Sequence, residues 1–322
     1  MRRSVFWLLD QYTDNQEDTA SIYSVALKHA QLADQLGYSS LWLAEHHFHK
    51  LGTAPNPAVL LSAIAQTTKN IRLGPGVCLL PLRDPILTAE DYALVDILSD
   101  GRLNMGVGTG SQLVEFEALG RDFDNRREAF DKNLKELRTN WATASSPEQS
   151  NGPLNIAPIQ HPAPPIFVAT LSEDGAHKAG IAGHSILTMV SPLAEDLSTT
   201  DLILKAHSKG LLDGGHPHDS AEAIVVVFAF VAPSSDIAQA VSVPAMTKFS
   251  QAVAGITPDD PLGMYVQMTN SGTGLFGTKE FVEGKIDQYR EIGVQHIAFV
   301  SRFGGLDAGL AEQSLRALAS TH

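Results

Sequence analysis

Residues Gly37–Phe48 read GYSSLWLAEHHF, and this stretch contains the signals that decide the fold. The apolar segment Ser39–Ala44 predicts a buried β-strand, and polar residues follow it at once. A segment with helical periodicity, Ala20–Leu36, precedes it and ends at Gly37, a residue type that often terminates helices. Helix, glycine, buried strand and polar end, in that order, are typical of one unit of a parallel α/β fold.

The same unit recurs along the whole chain. The predicted strands are Val5–Leu9, Ser39–Ala44, Ile71–Leu80, Leu103–Val107, Ile166–Ala169, Ser185–Val190, Ile224–Val231 and His296–Val300. The predicted helices are Ala20–Leu36, Pro57–Thr68, Ile86–Leu98, Arg126–Ala142, Glu173–Ala182, Ala194–Lys209, Asp236–Phe249, Thr278–Ile292 and Leu310–Ala319. Eight strands alternating with helices indicate parallel pairing, either in a closed (β/α)8 barrel with insertions in its βα loops or in an open doubly wound sheet.

Composition narrows the class of protein. Hydrophobic residues make up 43% of the 322 residues, enough for one large core, and we predict a single domain over residues 1–322. The net charge of −13 disfavours nucleic acid as a partner. Cys78 is the only cysteine, which excludes an intrachain disulfide and a cysteine-based zinc site. No signal peptide is evident, and the apolar run Ala223–Ala232 is too short for a membrane span, so we expect a cytoplasmic protein.

Two adjacent histidines follow the second predicted strand. In a parallel barrel the active site lies where strands run into βα loops, so His46 and His47 are candidates for acid–base chemistry. The alternative is one buried structural histidine and one exposed histidine. Successive strand side chains point to opposite faces, which disfavours joint chelation, and we expect no metal site.

Glycines and a helix start mark three further strand ends. Gly74–Cys78 suggests a bulge or a close backbone contact with a ligand, and Gly106–Ser111 allows close approach or a tight turn. Ser172 is a good N-cap after the fifth strand. A helix N-terminus can bind a phosphate, but Glu173 and Asp174 satisfy the helix dipole themselves, so the residues alone favour a simple capped helix.

Several of these stretches together resemble the bacterial luciferase-like flavin monooxygenases. The order of the Glu-His-His-Phe and Leu-Ser-x-Gly-Arg pieces is the specific part of the resemblance. The matching stretches are Gly37–Phe48, Ile71–Gly74, Leu80-Pro81, Asp84-Pro85, Leu98–Leu103 and Gly106–Gly110, with weaker similarity at Gly293–Ile297.

The resemblance implies a (β/α)8 barrel that binds flavin at the carboxyl ends of its strands. It implies that reduced FMN comes from a separate flavin reductase and reacts with O2 to a C4a-peroxyflavin, which oxygenates a small organic substrate. His46 becomes the active-site base or hydrogen-bond partner. Val77, joined to Gly76 by a cis peptide bond, would lie against the flavin ring. The other implied flavin contacts are Thr109, Gly110, Ser111, Thr170, Leu171, Ser172 and Met189.

The resemblance also has departures and alternatives. Luciferase itself has cysteine and arginine where this chain has Gly108 and Thr109, so another cation or backbone N–H groups would hold the flavin phosphate. The alternatives are an oxidoreductase that uses the deazaflavin F420 for hydride transfer and a non-catalytic flavin-binding subunit. F420 relatives more often have an Asp-His pair at the position of His46, which favours FMN. Family analogy also predicts a homodimer.

Two expectations concern the surroundings of the site. The glycine-containing segment Ala254–Gly277 is predicted to be a long loop, which is either a lid that closes over the flavin or a disordered surface loop. Aromatic and methionine side chains near the strand ends are candidates for an apolar substrate lining, or equally for core: Trp7, Tyr12, Phe48, Phe116 and Met264.

Overall fold

A computed structural model of the protein describes residues 1–12, 18–48, 52–144, 154–255 and 257–319. Its strands are β1 (Arg2–Trp7), β2 (Ser40–Leu43), β3 (Arg72–Pro75), β4 (Cys78–Leu79), β5 (Met105–Gly108), β6 (Ile166–Ala169), β7 (Ser185–Met189), β8 (Ala223–Val231), β9 (Gly274–Gly277) and β10 (His296–Val300). Its helices are α1 (Thr19–Gln35), α2 (Pro57–Ala65), α3 (Pro85–Leu98), α4 (Leu113–Ala118), α5 (Arg126–Ala144), α6 (Glu173–Ile181), α7 (Ser198–Asp213), α8 (Ser235–Ala254), α9 (Pro261–Ser271), α10 (Lys279–Glu291) and α11 (Ala308–Leu318).

The strands form a parallel ring in the order β3-β2-β1-β10-β8-β7-β6-β5-β4. Strands β3 and β4 are consecutive pieces of the predicted third strand, so the ring has eight positions. A parallel bridge between Leu73 and Leu103 closes it between β3 and the approach to β5. The predicted (β/α)8 barrel is therefore confirmed, and the open sheet is excluded.

The third strand was predicted as one element, and this part of the prediction is wrong. The chain breaks its ladder between Pro75 and Cys78, where the peptide bond between Gly76 and Val77 is cis. The two residues therefore leave the sheet between β3 and β4 and line the opening of the barrel.

Strand alternation divides the buried side chains into two layers. Phe6 and Trp42 belong to the cluster that fills the barrel interior, whereas Trp7 and Leu41 belong to the cluster between sheet and helices. Trp42 is fully buried and meets the ring of Phe167 edge to face at 4.9 Å. This is the period-two pattern of a sheet covered on both faces, and each large buried ring contributes about 2–3 kcal/mol through burial.

The Leu-Ser-x-Gly-Arg stretch has a structural role at the opposite end of the barrel from the strand ends that carry chemistry. Arg102 lies before β5, and its guanidinium donates to the carbonyl oxygens of Ala65, Thr68 and Ile71. These carbonyls end α2 and lead into β3, so one side chain connects two βα units at the amino-terminal end.

The segment Ala254–Gly277 is not a long loop, so the basis for a lid there is wrong. It contains α9 and β9, and β9 pairs with the second half of β8 from Phe228 to Val231. Met268 packs into the barrel-interior cluster. The glycines of this segment did not indicate a helix or a strand. Strand β9 is stabilised by pairing with β8, which lies more than 40 residues earlier in the sequence.

A buried carboxyl group ties the loop after β1 to the loop after β10. Asp10 is 7% exposed, and its Oδ2 accepts hydrogen bonds from the Tyr12 hydroxyl at 2.9 Å and the Gly304 N–H at 2.6 Å. Burial raises the pKa of Asp10 to about 6, against the opposing effects of Tyr12, Gly304 and the charge of Arg302.

This pKa predicts a pH-dependent stability. Between about pH 4 and pH 6 the folded state binds more protons at Asp10 than the unfolded state, so stability falls as pH rises through that window. The effect amounts to about 3 kcal/mol. Asp10→Asn should remove this pH dependence. The free energy of unfolding of the variant minus that of the wild type should therefore increase by about 3 kcal/mol from pH 4 to pH 7.5. Urea unfolding at several pH values tests this, and a pH-independent difference would contradict it.

Candidate active site

A cavity of about 1360 Å³ opens at the carboxyl ends of the barrel strands. Pockets for small ligands commonly measure about 300–1,000 Å³, so this cavity has room for a large cofactor and a second small molecule. The residues predicted for catalysis and flavin contact by the family resemblance all lie on its wall: His46, Gly76, Val77, Thr109, Gly110, Ser111, Thr170, Leu171, Ser172 and Met189. His47, the second histidine candidate, is not part of this wall.

Two histidine–carboxylate pairs follow β2, and three of their members, His46, Glu45 and Glu115, line the cavity. His46 Nδ1 lies 3.1 Å from Glu115 Oε1, and the same oxygen accepts the backbone N–H of His47 at 2.9 Å. The ring of His47 turns the other way, with Nε2 3.2 Å from Glu45 Oε1. The rings of the two adjacent histidines therefore have separate carboxylate partners.

The Glu45 carboxylate is itself held by a cation. Arg83 Nε donates to Glu45 Oε1 at 2.9 Å, and Arg83 also donates to the carbonyl oxygen of Pro55. Burial opposes the charge of Arg83, but attraction to Glu45 prevails and raises the pKa of Arg83. Cys78 lies next to this group, and burial raises the pKa of its thiol, so it is a protonated core residue and not a nucleophile.

Apolar side chains form the floor of the cavity. Phe6, Val77, Leu187 and Val226 line it, and Gly108 lies beneath Val77. A Cβ atom on Gly108 would lie 2.4 Å from Val77 Cγ2, so the absence of a side chain at residue 108 sets the position of Val77. The apolar surface at the barrel mouth therefore depends on Gly108, because this glycine leaves the space that Val77 needs.

The turn after β5 forms another part of the wall. Gly110 has φ of +77°, and a Cβ there would lie 2.9 Å from Phe116 Cε2, so glycine is required for both conformation and space. Thr109 is half-buried and Ser111 is exposed. The tight-turn interpretation of this stretch and its position on the cavity are therefore both correct.

The outer end of the cavity is polar. Ser172 caps α6 by accepting the Gly175 N–H at 3.2 Å, as its N-cap position in the sequence predicted, and Thr170 Oγ1 bonds within the same turn. Leu171 is 70% exposed and lies at the rim. Arg127 and Lys178 line the cavity and provide positive charge, and Lys178 Nζ lies 2.7 Å from Asp174 Oδ2 on the same wall.

Sequence reasoning missed Glu115 and Phe6. Glu115 is fully buried in the six-residue helix α4, which is too short to show a periodic pattern. Phe6 could have been found, because strand alternation places it on the inner face opposite Trp7.

None of the five candidate apolar lining residues lies on the cavity. Trp7, Tyr12 and Phe116 are buried elsewhere, Met264 packs against the core, and Phe48 is 62% exposed.

Neither a metal cluster nor a membrane span is found in the part of the chain that the structure describes. No group of three His, Cys, Asp or Glu side chains there is arranged to hold a metal ion. Within residues 1–12, 18–48, 52–144, 154–255 and 257–319, no helix combines the length and hydropathy that crossing a membrane requires.

A sequence profile of the luciferase-like monooxygenases matches residues 1–296. The chain belongs to the luciferase-like monooxygenase family. This family membership explains why the Glu-His-His-Phe and Leu-Ser-x-Gly-Arg pieces occur together in one barrel.

Three curated relatives illustrate the similarity. The chain is 34% identical over 193 residues to the Sinorhizobium fredii protein y4vJ, covering 58% of this chain and 54% of the relative. It is 30% identical to the oxygenase component of the flavin-dependent trigonelline monooxygenase of Acinetobacter baylyi (52% and 49% covered). It is 34% identical to limonene 1,2-monooxygenase of Rhodococcus erythropolis (49% and 42%). The matched part thus spans about half the length of these relatives.

Solved structures share the fold over almost the whole chain. The monooxygenase RslO1 of Streptomyces bottropensis matches with a TM-score of 0.88 at 23% identity, covering 99% of this chain and 98% of that one. The oxygenating constituent of 3,6-diketocamphane monooxygenase from Pseudomonas putida, solved with FMN, matches at 0.80 and 20% (99% and 96%). An F420-dependent secondary alcohol dehydrogenase matches at 0.69 and 17% (98% and 97%). Both flavin and F420 enzymes therefore use this barrel.

Proposed function

We propose that this protein is a monooxygenase that uses reduced FMN and O2 to oxygenate a small organic substrate. The observation that carries the proposal is one continuous cavity with three chemically distinct parts. An apolar floor, a histidine held by a buried carboxylate and a polar, cationic end line the same cavity, and these are the groups that a flavin ring, its reacting edge and its phosphate would need.

The residues fit FMN in size and chemistry. The floor formed by Val77 and Phe6 suits one face of an aromatic ring, and Gly108 leaves the space that keeps Val77 in place. At the outer end, the first N–H groups of α6 and the side chains of Arg127 and Lys178 suit a phosphate. We assign the phosphate to these groups instead of the missing arginine. Thr109, Gly110, Ser111, Thr170, Leu171, Ser172 and Met189 complete the proposed flavin contacts.

The protein's own residues would orient the cofactor, exclude water and move a proton. When bound, reduced FMN supplies the electrons that activate O2. His46 lies at the polar wall of the cavity, where it can accept or donate a proton at the reacting edge. The apolar floor would exclude water from beneath the ring, which would limit the unproductive release of hydrogen peroxide.

The partners follow from the same proposal. The Acinetobacter relative is named as an oxygenase component, which supports a separate flavin reductase as the supplier of reduced FMN. We also propose a homodimer, because α2 and α3 expose a group of apolar side chains that a second copy could cover: Val59, Leu87, Leu94, Ile97 and Leu98. A cytoplasmic location is proposed from the sequence.

F420-dependent hydride transfer is the second candidate function. The fold match to the F420-dependent alcohol dehydrogenase supports it. The Glu45-His46-His47 sequence, in place of the Asp-His pair of F420 relatives, favours FMN. A non-catalytic flavin-binding role has less support, because a binding subunit would need no buried carboxylate directed at a cavity histidine.

Isotope incorporation tests the oxygenase reaction. The protein, reduced FMN and ¹⁸O2 are incubated with limonene, trigonelline and a long-chain aldehyde as representatives of different substrate classes. A product that carries one ¹⁸O atom is the expected result. Hydrogen peroxide release as fast as from free reduced FMN, with no labelled product, would contradict the proposal.

A single glycine tests the position of the flavin. Gly108→Ala places a methyl group 2.4 Å from Val77 Cγ2, so Val77 must move into the floor on which the ring is proposed to lie. We expect the affinity for reduced FMN to fall by at least about tenfold, equivalent to about 1.4 kcal/mol. Anaerobic titration measures this, with thermal unfolding to check the fold. Gly284→Ala, where the added methyl group meets open space, is the matched control. Equal affinities of folded Gly108→Ala and Gly284→Ala for reduced FMN would contradict the proposed position of the flavin ring on this floor.

A further inference from the structure

We propose that Glu115 is a positioning residue that holds His46 with its proton on Nδ1 and so makes Nε2 the basic nitrogen of the ring. The inference deepens the proposed function and rests on it for its catalytic meaning. Its structural content, the tautomer of His46, can be measured without flavin or substrate.

The hydrogen bonds determine which nitrogen carries the proton. Glu115 Oε1 accepts the backbone N–H of His47 at 2.9 Å, and a backbone amide can only donate. Oε1 therefore already acts as an acceptor, and in the proposed arrangement it has the same role towards His46 Nδ1, which lies 3.1 Å from the same atom and would supply the hydrogen. In a neutral imidazole the hydrogen bond at one nitrogen fixes the tautomer, so Nε2 then carries the lone pair.

The surroundings hold the carboxylate in place. The Glu115 side chain is 1% exposed, and its neighbour Phe116 is fully buried among Leu79, Leu82 and the edge of Phe123. This packing anchors α4 over the end of β4. The side chain of Glu115 reaches the end of β2 from there, so it joins two βα units across the third strand position.

Burial of a carboxylate in a short helix needs a reason. An unpaired buried carboxylate costs several kcal/mol, so an acid that served only as a favourable charge at the start of α4 would remain exposed. Glu117, two residues further along the same helix, is exposed and illustrates that ordinary case. His47 has its own carboxylate in Glu45, so Glu115 serves the ring of His46 and the backbone beneath it.

Nitrogen NMR of the flavin-free protein tests the tautomer. The protein is labelled with ¹⁵N-histidine, and long-range ¹H–¹⁵N correlations are recorded at about pH 8.5, above the usual titration range of histidine. The variant His46→Gln identifies the signals of His46. We expect wild-type His46 to show a protonated Nδ1 and an unprotonated Nε2. A protonated Nε2 in the wild type would overturn the proposal without any further variant.

Three variants separate positioning from general structural support. Glu115→Gln keeps an acceptor oxygen and should preserve the Nδ1–H tautomer. Glu115→Ala removes the acceptor and should shift His46 towards the Nε2–H tautomer, while Glu117→Ala should leave it unchanged. An unchanged tautomer in folded Glu115→Ala would overturn the proposal. If Glu115→Ala does not fold, the wild type and Glu115→Gln decide the question, and loss of the Nδ1–H tautomer in Glu115→Gln would overturn it.

Kinetics then connects the tautomer with catalysis. Glu115→Ala should lower kcat for oxygenation at least about tenfold, with the Kd for reduced FMN nearly unchanged, and Glu115→Gln should recover most of the loss. Adding Glu115→Ala to His46→Ala should cause no further loss of kcat, because both variants remove the same function. Fully additive losses would overturn the role of Glu115 in positioning. Absence of oxygenation by the wild type would instead contradict the proposed function and leave the NMR result intact.

Discussion

His46→Ala is expected to reduce oxygenation of the substrate by about 10²–10⁴-fold, the usual contribution of a positioned acid–base group. The affinity for reduced FMN should remain within a few-fold, because the apolar floor and the cationic end of the cavity are unchanged. Single-turnover kinetics with saturating reduced FMN measures the first quantity, and anaerobic titration measures the second. A turnover rate equal to that of the wild type would remove His46 from the mechanism.

The adjacent histidine is the matched control for this prediction. The ring of His47 is paired with Glu45 and not with Glu115, and the cavity wall contains His46 but not His47. His47→Ala should therefore cause a much smaller loss of turnover than His46→Ala. Equal losses would indicate that the variants disturb the loop after β2 as a whole, which would contradict a specific role for His46.

Arg102→Ala is expected to have the largest effect on stability, a loss of about 3–5 kcal/mol in the free energy of unfolding. The guanidinium donates to the carbonyl oxygens of Ala65, Thr68, Ile71 and Ser99, at distances between 2.6 and 3.2 Å. Hydrogen bonds from a charged donor each contribute more than neutral ones, and removal leaves several helix-end and loop carbonyls without this partner.

Urea unfolding measures this effect, and an exposed arginine provides the control. Arg121→Ala removes the same charge from the surface and should change the stability by less than about 0.5 kcal/mol. Arg102→Lys should be only partly tolerated, because an ammonium group cannot reproduce the planar set of donors. A loss below about 1 kcal/mol for Arg102→Ala would show that the motif does not join the two units in the way described.

The barrel could be predicted from the sequence because its signals are local. Strands Ile166–Ala169 and His296–Val300 have the predicted bounds, since short apolar runs between helix caps leave little freedom. The break at Gly76 and Val77 divided the predicted third strand, and only the resemblance to the family implied a cis bond there. Strand β9 was missed because its pairing with β8 is a long-range contact that sequence periodicity does not report.

The candidate site was predicted in position but not in its full chemistry. Residues such as Val77, Thr109 and Ser172 follow strand ends, and a parallel barrel brings all strand ends to one face. Glu115 acts across space from a short helix, and no local pattern relates it to His46, 69 residues away. The same is true of Arg127 and Lys178, whose position at the cavity depends on how α5 and α6 are arranged in the outer ring.

The cavity at the strand ends is proposed to bind reduced FMN, and an anaerobic spectral titration measures this binding. The wild-type protein and Gly108→Ala are each titrated with reduced FMN and, separately, with reduced F420. We expect stoichiometric binding of reduced FMN to the wild type, weaker binding to Gly108→Ala and no comparable binding of F420. Binding of F420 alone, or equal binding of FMN to both proteins, would contradict it.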